Sequence, residues 1–265
     1  MLSDVFNVKL HFIDCKEHLS KYISIRDTIS DQLGHASHAT FLRLIFDAVL
    51  PVEYEKIVYI DADTIIRGDL TGLFEISLDG NIIAASRDIM LNKRFTGDRL
   101  KLDYFNAGFM IIDRTAWKKH NVEKSLAEIA SKLSASRLQY LDQDILNTYF
   151  LSSGYLPLDC RYNYQYLMTI DNIRCSKESS LDEAKVIHYA GQIKPWHLWA
   201  SQKYSSLYRS YRQVIPWLGK FSPEAPASIS QLKICTKTLM AQGRFQESAI
   251  YSQKLLGILE NSSRL

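Results

Sequence analysis

The segment Ile57-Val58-Tyr59-Ile60-Asp61-Ala62-Asp63 constrains this chain more than any other. Four apolar, β-prone residues run straight into two carboxylates spaced i, i+2. A run of this length and composition predicts a buried strand of an α/β sheet. Ligands of such sheets sit beyond the carboxyl ends of the strands, where Asp61 and Asp63 fall. Side chains two apart share a face if the strand continues, so both carboxylates can converge on one hard cation. Such a cation usually completes its shell with a substrate's phosphates. The same pattern also describes a strand end with two solvated acids.

The rest of the chain supplies the other layers. Val8–Ile13 reads as a short alternating strand. Ala39–Leu50 has apolar residues at 41, 42, 44, 45, 46, 48 and 49 and stops at Pro51, which predicts a helix with one wide buried face. Asn81–Ala85 and Gly108–Ile112 read as short buried strands, and Val186–Tyr189 as a last one. Thr115 is placed to cap a helix into Trp117. Val122–Leu133 and Asp142–Phe150 carry helical periods, with Gly154 and Pro157 closing the second. Strands alternating with helices predict a mainly parallel, layered α/β sheet over residues 1–205. A Pro-containing link, 221–226, then leads to an amphipathic helical stretch, Ile229–Leu259. Residues 206–265 form a basic helical C-terminal module, with eight Lys/Arg against three acids, a net +5 that leaves about −2 for the remainder.

Composition excludes several function classes. A formal net charge of +3 over 265 residues is too small to argue for nucleic acid. No apolar run approaches the ~18 residues of a membrane span, and Met1 to Lys9 lacks a signal-peptide pattern. The cysteines at 15, 160, 175 and 235 form no Cys-x-x-Cys pair, so free thiols in a reducing, cytoplasmic setting are expected.

Four blocks occur in order: Tyr59-Ile60-Asp61-Ala62-Asp63-Thr64, Tyr104-Phe105-Asn106-Ala107-Gly108-Phe109, Leu141-Asp142-Gln143-Asp144-Ile145-Leu146-Asn147, and His188-Tyr189-Ala190-Gly191-Gln192-Ile193-Lys194-Pro195-Trp196. Together they resemble glycosyltransferase family 8, most closely its bacterial lipopolysaccharide galactosyl- and glucosyltransferases. The resemblance implies a GT-A fold, UDP-galactose or UDP-glucose as donor, Mn²⁺ (or Mg²⁺), and transfer that retains anomeric configuration. The implied acceptor is a lipid-linked oligosaccharide of the lipopolysaccharide core. It would be met by a cytoplasmic enzyme touching the inner membrane peripherally, through the basic C-terminal helices.

Carried over position by position, the resemblance gives Asp61, Asp63 and His188 as metal ligands, with Ala62 between the acids in the donor site. Gly191 and Lys194 match residues that hold the donor's diphosphate, and Arg43 a basic residue of the donor pocket. Asp88, Asn106, Asp142 and Gln143 match residues lining the sugar and the acceptor side, with Gln143, Asp142 and Asp88 nearest the chemistry. Read without the resemblance, Asp142 is a helix N-cap, His188 a satisfied core histidine and Asn106 part of a turn. The resemblance begins near Val8. It implies that the family's opening strand–helix–strand–helix unit, about 50 residues, is missing, through a start inside a longer gene or a true truncation. A remnant that binds glycan without turnover is therefore an alternative to the hexosyltransferase. A phosphohydrolase using Asp61 as nucleophile is a further one, weakened by Ile65 and by having no role for the His188 block.

Overall fold

Two compact units make up the chain: Met1–Ile57 with Ile112–Gly154, and Val58–Ile111 with Tyr155–Leu265. The computed structural model describes residues 9, 11–15, 17, 38–89, 104–132, 142–215 and 218–262. The segment read as Met1 to Lys9 lies outside these except for Lys9. In Val8–Ile13, the described residues 9 and 11–13 form no strand; Phe12 is 92% exposed, so the alternation finds no sheet to bury its apolar face.

In the first unit, a 3₁₀ stretch, His38–Leu44, is followed by the single turn α1, Phe46–Val49. The one helix predicted over Ala39–Leu50 is thus two short pieces, broken where Ile45 leaves helical geometry (φ −118°, ψ 12°). Leu50 is extended (φ −85°, ψ 146°), because Pro51 disfavours αR in the residue before it. Helix α2, Arg114–Lys119, is capped by Asp113, which accepts from the Ala116 amide at 2.8 Å. Thr115, expected as the cap, already lies inside the helix. A carboxylate at the N-cap both satisfies an orphan amide and opposes the positive helix end. Helix α3, Val122–Lys132, buries Val122, Leu126 and Ala130 at four-residue spacing. Helix α4, Asp142–Ser153, buries Ile145, Leu146 and Phe150 and ends at Gly154, whose φ of +91° an L side chain rarely adopts. Arg114 is 2% exposed, yet its guanidinium is matched by the Asp47 carboxylate and by the carbonyls of Asp47 and Leu50, both at 2.9 Å. Paired in this way, a buried charge is tolerable.

The second unit carries the sheets. Its strands are β1 (Lys56–Ile60), β2 (Thr64–Ile66), β3 (Ile83–Arg87), β4 (Phe105–Asp113), β5 (Leu156–Pro157), β6 (Tyr164–Met168), β7 (Ile173–Cys175) and β8 (Val186–His188). One sheet is ordered β1-β4-β3-β5, the other β2-β8-β6-β7. Pairs β3–β5 and β6–β8 are parallel, whereas β2–β8 and β6–β7 are antiparallel. The second sheet is therefore mixed, not mainly parallel. Only residues 169–172 join β6 to β7, too few for the crossover a parallel pair needs. In β4 every residue but the last is buried, as expected of a strand covered on both faces. Asn106 lies inside this strand, so the turn reading of that residue is corrected.

Helix α5, Gln202–Gln213, is capped by Ser201, and α6, Ile229–Ala241, by Ser228. The helical stretch expected over Ile229–Leu259 is two helices, interrupted at Gln242-Gly243-Arg244, with Gly243 at φ +73°, before α7, Phe245–Ser262. Cys235 and Leu239 of α6 join the same apolar cluster as Tyr166, Tyr189, Trp199 and Tyr204. At the hairpin turn, Gln242 Nε2 donates to the Trp199 carbonyl at 2.9 Å and Arg244 Nη1 to the Leu198 carbonyl at 3.2 Å. Glu247 grips the same guanidinium at 2.6 and 2.7 Å. Among the described residues, the cysteines are free thiols, and no helix is long and apolar enough to cross a membrane.

Candidate functional site

Strand β1 stops at Ile60, and Asp61, Ala62 and Asp63 turn the chain from the first sheet into the second. Each end of this turn is fastened to a different sheet. The Asp61 amide donates to the Gly108 carbonyl on β4 at 2.8 Å. On the other side Thr64 pairs with His188 in the β2–β8 register, and the Tyr189 amide donates to the Asp63 carbonyl at 2.9 Å. Thr64 Oγ1 closes the turn by donating to the Asp61 carbonyl at 2.9 Å. The backbone thus holds both acids against the end of β8 before any side-chain contact is counted.

The side chains then converge. His188 Nε2 is 3.8 Å from Asp61 Oδ2 and 3.4 Å from Asp63 Oδ1, and the three potential ligand atoms lie within 4.8 Å of one another. Tyr59 Oη donates to Asp61 Oδ1 at 2.7 Å, which leaves Oδ2 toward the histidine. Lys194 Nζ pairs with Asp63 Oδ2 and donates to the Tyr189 carbonyl at 2.9 Å. Burial alone would raise the Asp63 carboxyl. The hydrogen bond and charge of His188, and then those of Lys194, outweigh it and hold the group well below the usual carboxylate range. The donor set fits a divalent cation: two carboxylates and one imidazole suit Mn²⁺, and the lowered Asp63 carboxyl is ionised and available to it at neutral pH.

His188 is 4% exposed, but it is not a satisfied core histidine of the usual kind, since one ring nitrogen faces two acids. Its Nδ1 lies 3.0 Å from Asn163 Oδ1. Asn163 Nδ2 donates to Asn106 Oδ1 at 3.0 Å, and Asn106 Nδ2 donates to Asp88 Oδ2 at 3.0 Å. Gln165 holds the backbone around Asp88: its Nε2 donates to the Arg87 carbonyl at 2.7 Å and its Oε1 accepts from the Ile89 amide at 3.1 Å. Asn163 and Gln165 were not picked out from sequence. The signal was present, for they are the only amides in the aromatic and apolar run Tyr162–Met168, and a buried amide needs partners.

Gly191 has φ +86°, and a Cβ there would come within 2.6 Å of Leu167 Cδ1. A glycine therefore lets the loop fold back so that Lys194 reaches Asp63. Ala62 is exposed at the tip of the turn. The second unit thus gathers Asp61, Asp63, Asp88, Asn106, His188 and Lys194 into one connected set. Arg43, Asp142 and Gln143 belong to the first unit, where Arg43 Nε and Asp142 Oδ2 form a largely buried ion pair at 2.7 Å. Asp142 opens α4 while engaged in this pair, a role beyond capping.

His197, behind Lys194, supplies a test of the loop. It is buried and stacked on Trp199 with ring centroids 4.1 Å apart, and its Nδ1 accepts from the Lys194 amide at 3.1 Å. Burial, and secondarily the Lys194 charge, depresses its pKa to about 4. Between pH 6.5 and about 4 the unfolded chain binds this proton and the folded chain does not. The stabilisation of the neutral ring is complete above pH 6.5 and is lost as pH falls toward 4, about 3 kcal/mol in all. Urea melts of wild type and His197→Gln at pH 7.5 and 4.5 should show this extra acid sensitivity in the wild type only. Equal sensitivity in both would refute it.

Comparisons with known proteins bear on the family and the fold. The model of the family described as "Glycosyl transferase family 8" matches residues 3–200. The glycosyltransferase GlyF of Streptococcus pneumoniae serotype 4 is 34% identical over 68% of this chain and 43% of its own length. The lipopolysaccharide 1,2-glucosyltransferase of Escherichia coli K12 is 29% identical over 79% and 64%, and the lipopolysaccharide 1,3-galactosyltransferase of Salmonella typhimurium 25% over 94% and 74%. The chain therefore spans less than two thirds of the first two of these relatives. Among solved structures, the galactosyltransferase LgtC in complex with donor and acceptor sugar analogs superposes with TM-score 0.54, at 24% identity and 72% coverage of each chain. Apo GlyE of Streptococcus pneumoniae superposes with TM-score 0.51, at 25% identity, over 68% of this chain and 44% of that one. The shared architecture is the GT-A fold.

Proposed function

The chain belongs to glycosyl transferase family 8, and from that premise we propose that it moves galactose or glucose from a UDP-sugar to a saccharide acceptor of the lipopolysaccharide core, with retention. The observation that carries the reading is the convergence of Asp61, Asp63 and His188 at the junction of two sheets. Those three residues would hold Mn²⁺ or Mg²⁺, which when bound offsets the negative charge of a leaving diphosphate. Lys194, already drawn to Asp63, is placed to turn its ammonium to the same diphosphate, and Gly191 leaves room for it. Asn106 and Asp88 present hydrogen-bonding groups to the sugar.

In the first unit, Asp142 is engaged by Arg43, which favours a role as charge partner over that of a free nucleophile, and the Gln143 amide is a poor nucleophile. A same-face transfer, in which the departing phosphate takes the acceptor hydroxyl's proton, fits these side chains. The names of the relatives support the lipopolysaccharide acceptor. Exposed Lys220, Lys233, Lys237 and Lys254 support peripheral docking on an anionic membrane. Arg244, Arg209 and Arg212 contribute less, being engaged by Glu247 and the Phe221 ring.

Calorimetric titration of UDP, with and without Mn²⁺, tests the reading. Binding should require the cation, and hydrolysis or transfer from UDP-galactose and UDP-glucose should then differ by more than tenfold. Metal-independent binding, or none by a folded chain, would overturn it.

A further inference from the structure

Four buried groups on separate segments form a hydrogen-bonded chain whose direction can be read from one end to the other. At one end the Asp88 carboxylate can only accept, so the Asn106 group facing it at 3.0 Å is the amide nitrogen. A second anchor agrees, because the Gly108 backbone N–H donates to the other Asn106 atom at 3.0 Å, which must be oxygen. That oxygen also faces Asn163 at 3.0 Å, so Asn163 presents its nitrogen there. Asn163 must then turn its oxygen to His188 Nδ1, 3.0 Å away. An oxygen accepts, so Nδ1 carries a proton, and Nε2 is the nitrogen turned to Asp61 and Asp63, where a cation held between them would take its lone pair.

We propose that Asn163 is a positioning residue that locks the His188 ring in its Nδ1–H tautomer and ties the cation site to Asp88 through Asn106. The proposal rests on the metal-site reading above but adds a residue and a coupling to it. Asn163 touches no substrate group. It acts by fixing which ring nitrogen faces the acids, and by making the position of Asp88 and the orientation of His188 parts of one network. Packing supports the lock. Asn106, Asn163 and His188 are all at most 6% exposed, so water is poorly placed to replace any link. The ring also packs directly on Gly108, so closely that a Cβ there would meet His188 Cε1 at 2.1 Å and Nδ1 at 2.6 Å.

The test reads the tautomer directly. Long-range ¹⁵N–¹H spectra of the full chain labelled at histidine, metal-free at pH 8, should show His188 as a single Nδ1–H species, assigned by its loss in His188→Ala. In Asn163→Ala the ring should become a mixture, and the Kd for Mn²⁺ measured by calorimetry should rise about 10–100-fold. Asn163→Asp keeps the size and the acceptor facing the ring. It should keep the Nδ1–H tautomer, which guards against a misfolded alanine variant. An Nε2–H ring in the wild type, or an Asn163→Ala chain with the wild-type tautomer and Kd, would overturn the proposal. If the wild type shows the Nδ1–H tautomer but binds no Mn²⁺, the metal-site reading fails while the positioning role of Asn163 stands.

Discussion

On the proposed function, Asp63→Ala should abolish Mn²⁺-dependent UDP binding, with affinity for the cation falling by at least about 100-fold, since loss of even an outer-shell partner costs about 10–100-fold. Turnover should fall by about 10²–10³ or more, the scale seen when one charge-stabilising group is removed. The size follows from how much rests on one side chain. Asp63 Oδ1 faces His188 Nε2 at 3.4 Å and Oδ2 holds the Lys194 ammonium. On the proposed reading, alanine removes one of the three cation ligands and releases Lys194, the residue assigned to the diphosphate. The fold should survive, because the bond that fixes the turn runs from the Tyr189 amide to the Asp63 main-chain carbonyl at 2.9 Å, which alanine keeps. Unchanged circular dichroism with lost calorimetric heat is therefore the expected pair. Full Mn²⁺-dependent UDP binding by the variant would remove Asp63 from the site.

Gly108→Ala should be nearly as damaging although glycine offers no ligand. Its new methyl carbon would lie 2.1 Å from His188 Cε1, 2.6 Å from Nδ1 and 3.0 Å from Asn106 Oδ1. Carbon atoms approach no closer than about 3.5 Å at rest, so the ring must move by more than an ångström or β4 must bend. His188 is in strand register with Thr64, and Gly108 accepts from the Asp61 amide, so neither backbone shifts freely. Overpacking of this kind costs about 1–3 kcal/mol of stability. The larger effect should be a cation site out of shape, with Mn²⁺ affinity reduced about 100-fold. A chain that melts a few degrees lower yet binds Mn²⁺ as tightly as wild type would show that the ring tolerates displacement.

How much of this was legible in the sequence depended on how local each signal was. The β1 run and the acids after it lie within seven residues, and strand, turn and acids stand where that run predicts them, but β1 is half-buried along its length rather than buried. His188 gained meaning only through the block that follows it, because its partners Asp61 and Asp63 are more than 120 residues away. Asn163 was passed over for the same reason. An amide in an apolar run signals that it needs partners but not which ones, and those come from the pairing of β6 with β8. The failed expectations share a cause of the opposite sign. Over Ala39–Leu50 the apolar spacing was right, and Ile229–Leu259 is helical as expected, but spacing does not show where the backbone breaks. Ile45 and Gly243 decide that by dihedral angle. Thr115 lost the cap to Asp113 because charge outweighs hydroxyl at a helix start.

The turn between α6 and α7 bears on how such proteins can be recombined. The family match ends at residue 200, which marks an inviting seam for exchanging tails among relatives. Yet Gln242 and Arg244 reach back across that seam to the carbonyls of Trp199 and Leu198, a few residues after Lys194. A foreign tail joined at 200 without this grip would leave two carbonyls bare and the lysine-bearing loop unbraced. A chimera that kept its own residues 242–247 on the incoming helices would carry the brace along with the graft.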